Sequence, residues 1–354
     1  MAETLNVSAL AEQMRERSHQ WSNTPTLPPD IVDLLVNNRL FKLFVPAELG
    51  GWESNLEYAA HIYAELGAAD GSIGWLVQIG SGGGFFVPSF HPSIAEELFG
   101  PSTAVVAGSG YPTGRARKVV GGYIVRGQWK YASGAQYASV FTANAVVEET
   151  GAIRAFAFRP EQVELVHDWH AMGMRATSSW TFRVHDVFVP EELSFVVGEK
   201  VWDPGETVYD IPFLTFAIIS MGAVSMGLAR AFFAEAIAVL SDAPERTASI
   251  AEYHQKSQTA EETFFALVRQ VENRATGRGV EQALIEQQLL QSIHQQRMYV
   301  LEAVPYCGMR IVDEQSRLNR ILRDMMVLYQ HEILRPRMAV EVPGVEPGSE
   351  VPVA

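Results

Sequence analysis

The chain has 354 residues, more than one hydrophobic core usually serves, and at 47% apolar it is too rich in core-forming residues to be largely disordered. Its 41 acidic residues outnumber 27 basic ones, for a formal charge of −14. That sign repels phosphate backbones, so nucleic acid is not an expected partner.

From the N-terminus, Leu10, Met14 and Ser18 fit an amphipathic helix, and Ile31, Leu34, Leu35 and Leu40 fit a second that begins at Pro28–Pro29. The first 20 residues hold no hydrophobic run of signal-peptide type. A third helix runs through Leu56 to Leu66 and a fourth follows Ser72 toward Gln78. The cluster Ser81-Gly82-Gly83-Gly84 is expected to break it, and a short helix from Pro92 to Phe99 ends at Gly100. Residues 1–102 therefore read as a helical domain.

The middle, 103–206, reads as β. Tyr123–Gln128, Val140–Val147, Ala155–Phe158 and Thr181–Phe188 carry the β-branched and aromatic content of strands, in a small barrel or sandwich. From 207 to 335 the pattern is helical again, with heptad-like spacing in Glu261–Val271 and Val280–Leu301. Ile211 to Ala229 has no formal charge, as a membrane span would, but Pro212, Ser220, Gly222, Ser225 and Gly227 mark a helix packed tightly against others. No membrane association is expected. Residues 336–354, with Pro and Gly at short spacing, read as an extended tail. Cys307, the only cysteine, excludes an intramolecular disulfide and suits a reducing cytoplasm; its neighbours Tyr306 and Gly308 do not activate it, so it reads as structural. The histidines are scattered, with no metal-ligand spacing, and Gly82–Gly84 lacks the Gly-Lys-Ser/Thr of a phosphate loop.

Four segments in order resemble the acyl-CoA dehydrogenase superfamily: LFVPAELGG (Leu43 to Gly51), GGYIVRGQWKYASGAQYAS (Gly121 to Ser139), GMRATSSWTFRVHDVFVPEE (Gly173 to Glu192) and SRLNRILRDMMVLYQH (Ser316 to His331). The resemblance implies an α+β, mostly helical fold: an N-terminal helical domain, a central β-barrel or sandwich and a C-terminal four-helix bundle, assembled as a homotetramer. Two chemistries occur in that superfamily. Where dehydrogenases carry an acidic segment, this chain has GSGYPTGRARKVVGGY from Gly108, and Ser133-Gly134 follows Trp129 where dehydrogenases show Thr-Asn-Gly. Both features are similar to the two-component monooxygenase branch. That branch implies reduced flavin, FMN or FAD, delivered by a separate NAD(P)H:flavin reductase. With O2 as co-substrate, a flavin hydroperoxide would then oxygenate carbon or nitrogen of a small organic substrate, aromatic ones included.

Such chemistry needs a hydrogen-bond partner at the reactive ring nitrogen, a donor near the oxygen and exclusion of water. The resemblance implies Ser133 as the flavin-contacting serine; a serine before glycine is also a common turn pair. Arg323, Asp324, Gln330 and His331 match an RD…QH pattern that places His331, at the end of the last helix, over the flavin. Histidine suits the role because it titrates near neutrality. Trp129, Thr177, Ser178, Ser179 and Arg323 complete the implied flavin contacts. Thr177 to Ser179 also read as a polar turn, and Arg323–Asp324 as a structural pair on a helix face. The family pattern has Gly at the positions of Ala176 and Ser178. Several phenol hydroxylases place a histidine about where Gly82–Gly84 stand, and these glycines would widen a pocket near Trp75, Phe85 and Phe86. The alternative is an FAD-dependent acyl-CoA dehydrogenase with Glu332 as base, although Ile333-Leu334 replaces the usual Gly-Thr. An inert binding protein that kept the fold is a third reading.

Overall fold

The computed structural model describes residues 5–273 and 280–335, so the expected tail at 336–354 lies outside the described residues. Helices α1 (Val7–Arg17), α2 (Pro29–Asn37), α3 (Leu56–Ala69), α4 (Gly71–Gly82) and α5 (Pro92–Phe99) come first. Their starts follow local chemistry. Asn6, Asn55 and Asp70 accept the free amides of α1, α3 and α4, and proline opens α2 and α5, where a missing N–H costs nothing. The α-helical part of α4 ends inside the glycine cluster, as expected, one turn beyond Gln78. The chain then tightens into a 3-10 turn over Gly83–Ser89, and Gly83 itself lies against β1, where a Cβ would sit 2.3 Å from Val106.

Strands β1 (Val106–Val119), β2 (Gly122–Ala132), β3 (Val140–Val147), β4 (Ile153–Phe158), β5 (Glu164–Val166), β6 (Trp180–Pro190) and β7 (Ser194–Phe195) form one sheet in the order β5-β6-β2-β1-β3-β4-β7. The expected barrel or sandwich is thus a single sheet whose end strands, β5 and β7, do not pair with each other; both are too short to extend the ladder. Among the described residues only β1 and β3 pair in parallel, with a register shift between Ser109 and Gly114. The shifted segment lies against the cavity described below.

Then follow α6 (Phe213–Val239), α7 (Pro244–Asn273), α8 (Val280–Ala303) and α9 (Arg317–Leu328). Helix α6 packs against α3, α4, α7, α8 and α9, and its apolar stretch is buried by protein on nearly every side. It touches α3 backbone to backbone: a Cβ on Gly227 would sit 1.9 Å from the Ala64 carbonyl oxygen. Backbone cannot rotate out of the way, so Gly227→Ala should force the two helices apart and cost about 3 kcal/mol or more in urea unfolding. An unchanged midpoint would show that this contact is not tight. Cys307 is buried and its thiol is pushed up to about 11 by that burial, which leaves it un-ionised at neutral pH.

Candidate active site

A cavity of about 940 Å³ opens where α4, β1, the loop before β6, α6 and the segment after α9 meet. That volume lies at the upper end of the roughly 300–1,000 Å³ of small-molecule sites. Helix α4 contributes Trp75, Gln78, Ile79 and Gly82, the i, i+3, i+4, i+7 face of one helix.

One wall is a row of buried hydroxyls. Trp75 Nε1 donates to Ser133 Oγ at 2.9 Å, Ser133 and Ser179 share a bond of 2.8 Å, and Ser179 and Thr177 one of 2.6 Å. Thr177 Oγ1 donates to the Met174 carbonyl at 2.8 Å. The two fixed ends assign every proton between them. A carbonyl only accepts and an indole N–H only donates. Thr177 therefore gives its hydrogen to Met174, Ser179 gives its hydrogen to Thr177, and Ser133 gives its hydrogen to Ser179. Ser133 is left with a lone pair and no free hydrogen toward the cavity. It is an acceptor there.

The turn that carries Ser133 is bound to this loop by Gly134 N–H donating to Thr177 O at 2.8 Å; Gly134 has φ +82°, the left-handed region that suits glycine. Ser178 also has a positive φ, 47°, at a position where the family pattern has glycine. That backbone turns its hydroxyl away from the cavity to donate to Pro25 O at 3.2 Å, so Ser178 stands apart from the row that Thr177 and Ser179 form.

Opposite, the His331 ring lies 5.6 Å from the Trp75 ring, centroid to centroid. His331 is not on the last helix. Helix α9 stops at Leu328, and His331 is extended (φ −63°, ψ 134°) as the cap of a 3-10 turn at Glu332–Leu334. Two contacts bring the chain off the helix axis: Tyr329 OH bonds to Ser225 at 2.9 Å and His294 Nε2 to Leu334 O at 3.0 Å. Because these residues are not helical, His331 and Glu332 both line the cavity, and the 100° spacing that would separate them on a helix does not apply. Burial, with Arg335 adding to it, lowers His331 to about 4, so the ring is neutral at pH 7. Its Nδ1 accepts from Ile333 N–H at 3.4 Å, which leaves the hydrogen on Nε2. Glu332 is exposed and paired with Arg335.

Besides Ser178, two more expected flavin contacts lie outside the cavity. Trp129 is fully buried in the sheet, stacked on Phe182 at 5.1 Å, with Nε1 donating to Asn144 O at 2.8 Å; a Cβ on Gly114 would strike its ring. Arg323 donates to Met172 O at 2.8 Å, and Asp324 accepts from Met174 N–H at 2.6 Å. The two neighbours thus clamp the hydroxyl-bearing loop onto α9. A Cβ on Gly173, between the clamps, would lie 2.3 Å from the Arg323 carbonyl.

Asp324 is raised to about 7 by burial and by the neighbouring carboxylate of Asp70, itself pushed up by burial. A raised carboxyl contributes stability below its unfolded pKa of about 4 and loses it as pH rises through about 7. Asp324→Asn keeps an acceptor for Met174 without the charge. Its stability relative to the parent should therefore grow between pH 4 and 8, reaching about 1–3 kcal/mol in urea melts. A difference that shrinks with pH would contradict this.

Sequence reasoning missed Trp75 as the donor that orders the row, and Gln78. The signal for Gln78 was there: it is the only amide in the apolar helix GSIGWLVQIGSG, one turn before Gly82. Of Gly82–Gly84, the first two line the cavity and Gly84 packs on the backbone of Phe44 and Val45; Phe86 lines it and Phe85 does not.

No family model matches the chain. Over 236 residues it is 32% identical to a pigment production hydroxylase of Rhodococcus sp., a match spanning 63% of this chain and 61% of the relative. It is 25% identical to an indole-3-acetate monooxygenase of Pseudomonas putida over 347 residues, 92% of this chain and 89% of the relative. Its fold is similar to that of a 3-HSA hydroxylase from Rhodococcus sp. RHA1, with a TM-score of 0.85 at 21% identity over 93% of this chain and 92% of that one. The chain thus has the fold of flavin-dependent monooxygenase components, helix-rich around a seven-stranded sheet.

Proposed function

We propose that the chain is the oxygenase component of a two-component flavin-dependent monooxygenase. It would take reduced FMN or FAD from a separate NAD(P)H:flavin reductase and use O2 to oxygenate a small aromatic substrate. The observation that carries this reading is the hydroxyl row, which leaves Ser133 an acceptor and nothing else. Reduced flavin carries an N–H at its central ring where oxidised flavin has a bare acceptor, so Ser133 complements the reduced form. Solved proteins of this fold were captured with FADH2 and with FMN.

Bound reduced flavin supplies the two electrons that activate oxygen. The chain's own groups hold and shield it. Ser133 would accept the ring N–H, Ser179 and Thr177 keep Ser133 turned that way, and His331 would present Nε2–H from the opposite side. Trp75, Phe213 and Phe216 exclude water. Trp129, Ser178 and Arg323 support these groups from outside the cavity. The three expected units, 1–102, 103–206 and 207–335, would then meet around one site in the manner of the superfamily's dehydrogenases, whose bundle assembles as a tetramer. Leu284 and Met298, both half exposed on α8 and 14 residues apart on one helix face, suit such an interface. Light scattering should give four times the chain mass; a monomer mass would count against assembly.

The reading is tested by supplying NADH, FMN and an unrelated flavin reductase, then following 18O2 into phenol or indole. Label in the organic product is the expected result. A yellow protein whose tightly held FAD is bleached by an acyl-CoA would replace it with the dehydrogenase reading, with Glu332 as base.

A further inference from the structure

The substrate end of the cavity is apolar, with Phe86, Phe213, Phe216 and Met221 among its walls. The formally charged residues that line the cavity, Lys130, Glu332 and Arg335, are all exposed, so charge is kept to the solvent side. Beside Phe216 stands a primary amide. Gln78 is 3% exposed, on the cavity face of α4, and its Oε1 has no hydrogen-bond partner. A buried acceptor without a donor is unfavourable, and most such groups in folded proteins are satisfied. The space beside this one is kept open: a Cβ on Gly82, one turn along the same face, would have only ordinary contacts at 3.8 Å with Gln78 Nε2 and Phe216. Rotation about the last side-chain bond exchanges oxygen and nitrogen toward the cavity, so a ligand carrying an O–H or N–H can draw the oxygen round and satisfy it.

We propose that Gln78 selects the substrate: its buried amide receives the O–H or N–H of a neutral aromatic ring seated against Phe86 and Phe216. An amide neither takes a proton nor carries charge, so the group it recognises remains protonated when bound. This rests on the monooxygenase reading for the identity of the site, but it concerns binding alone.

The test compares indole with indene, which has the same ring shape and no N–H, and phenol with toluene, by calorimetry on the protein with reduced FMN under argon. The parent should bind indole and phenol about tenfold more tightly than their partners, a difference of about 1.4 kcal/mol. Gln78→Leu should bring both ratios close to one while indene and toluene still bind. Gly82→Ala, which the contacts permit, should weaken all four ligands together by filling the space before the amide. Equal ratios in the parent, or ratios that survive Gln78→Leu, would overturn the proposal; so would failure of all four to bind. The binding ratios need neither oxygen nor turnover. A collapse of the ratio without 18O incorporation would sink the monooxygenase reading alone, and 18O incorporation with unchanged ratios would sink only this one.

Discussion

Replacing His331 by alanine is expected to divert oxygen from product to hydrogen peroxide while leaving flavin binding nearly intact. The residue presents a neutral Nε2–H across the cavity from Ser133, held there by the Ile333 amide on Nδ1 and by the 3-10 turn that begins at Glu332. Loss of one preorganised donor costs about 2–4 kcal/mol in comparable sites, a factor of roughly 30 to 1,000 in the lifetime of the oxygen-loaded enzyme. Peroxide measured against product should rise accordingly, and His331→Gln, which keeps an N–H donor, should restore part of the coupling. Because burial lowers His331 to about 4, the ratio of peroxide to product should show no step near pH 6.5. The same shift has a stability consequence. The folded state disfavours the protonated ring, so this contribution is complete above about pH 6.5 and is lost as pH falls toward 4. Glu332→Gln should change coupling little, since that carboxylate is exposed and paired with Arg335. If Glu332→Gln abolished turnover and His331→Ala spared it, the roles given to the two would be wrong.

The second large effect is on the choice between flavin redox states. Ser179→Ala removes the acceptor for the Ser133 hydrogen, which is then free to turn toward the cavity. The variant should bind oxidised flavin several-fold more tightly than the parent does, narrowing the preference for the reduced form. Ser133→Ala removes the acceptor itself and should weaken reduced flavin by about 1 kcal/mol, roughly fivefold, with little effect on the oxidised form. Anaerobic equilibrium dialysis reads both. Were Ser179→Ala to leave the preference intact, the proton directions assigned along the row would not govern redox selectivity.

The parts of this fold that could be read from the sequence are those whose chemistry is local. Pro28–Pro29 announced α2, and the β-branched and aromatic content of Val140–Val147 marked β3 to the residue. Strand β1 was not recognised because its interior, Gly-Ser-Gly-Tyr-Pro-Thr-Gly, lacks the strand composition; it is a strand because β2 and β3 pair with it on either side. The hydroxyl cluster at Thr177–Ser179 was visible, but which members face the cavity depends on a single positive φ at Ser178. Trp75 reaches Ser133 across 58 residues of chain, and no spacing rule encodes such a contact. The motif singled out His331 without its conformation, since the helix before it ends where tertiary contacts to Ser225 and His294 take hold. Arg323 and Asp324 were recognisable as a pair, and only the loop packed on them reveals that both act on its backbone.

A cavity built for the reduced ring discriminates between the two oxidation states of flavin. The most direct measurement is the pair of dissociation constants of the unmodified protein for reduced and oxidised FMN, taken under argon by quenching of tryptophan fluorescence, with Trp75 in the cavity wall as reporter. Reduced flavin should bind tighter by about tenfold or more, the value of one well-placed hydrogen bond gained against one frustrated. Equal affinities, or tighter binding of the oxidised form, would contradict it.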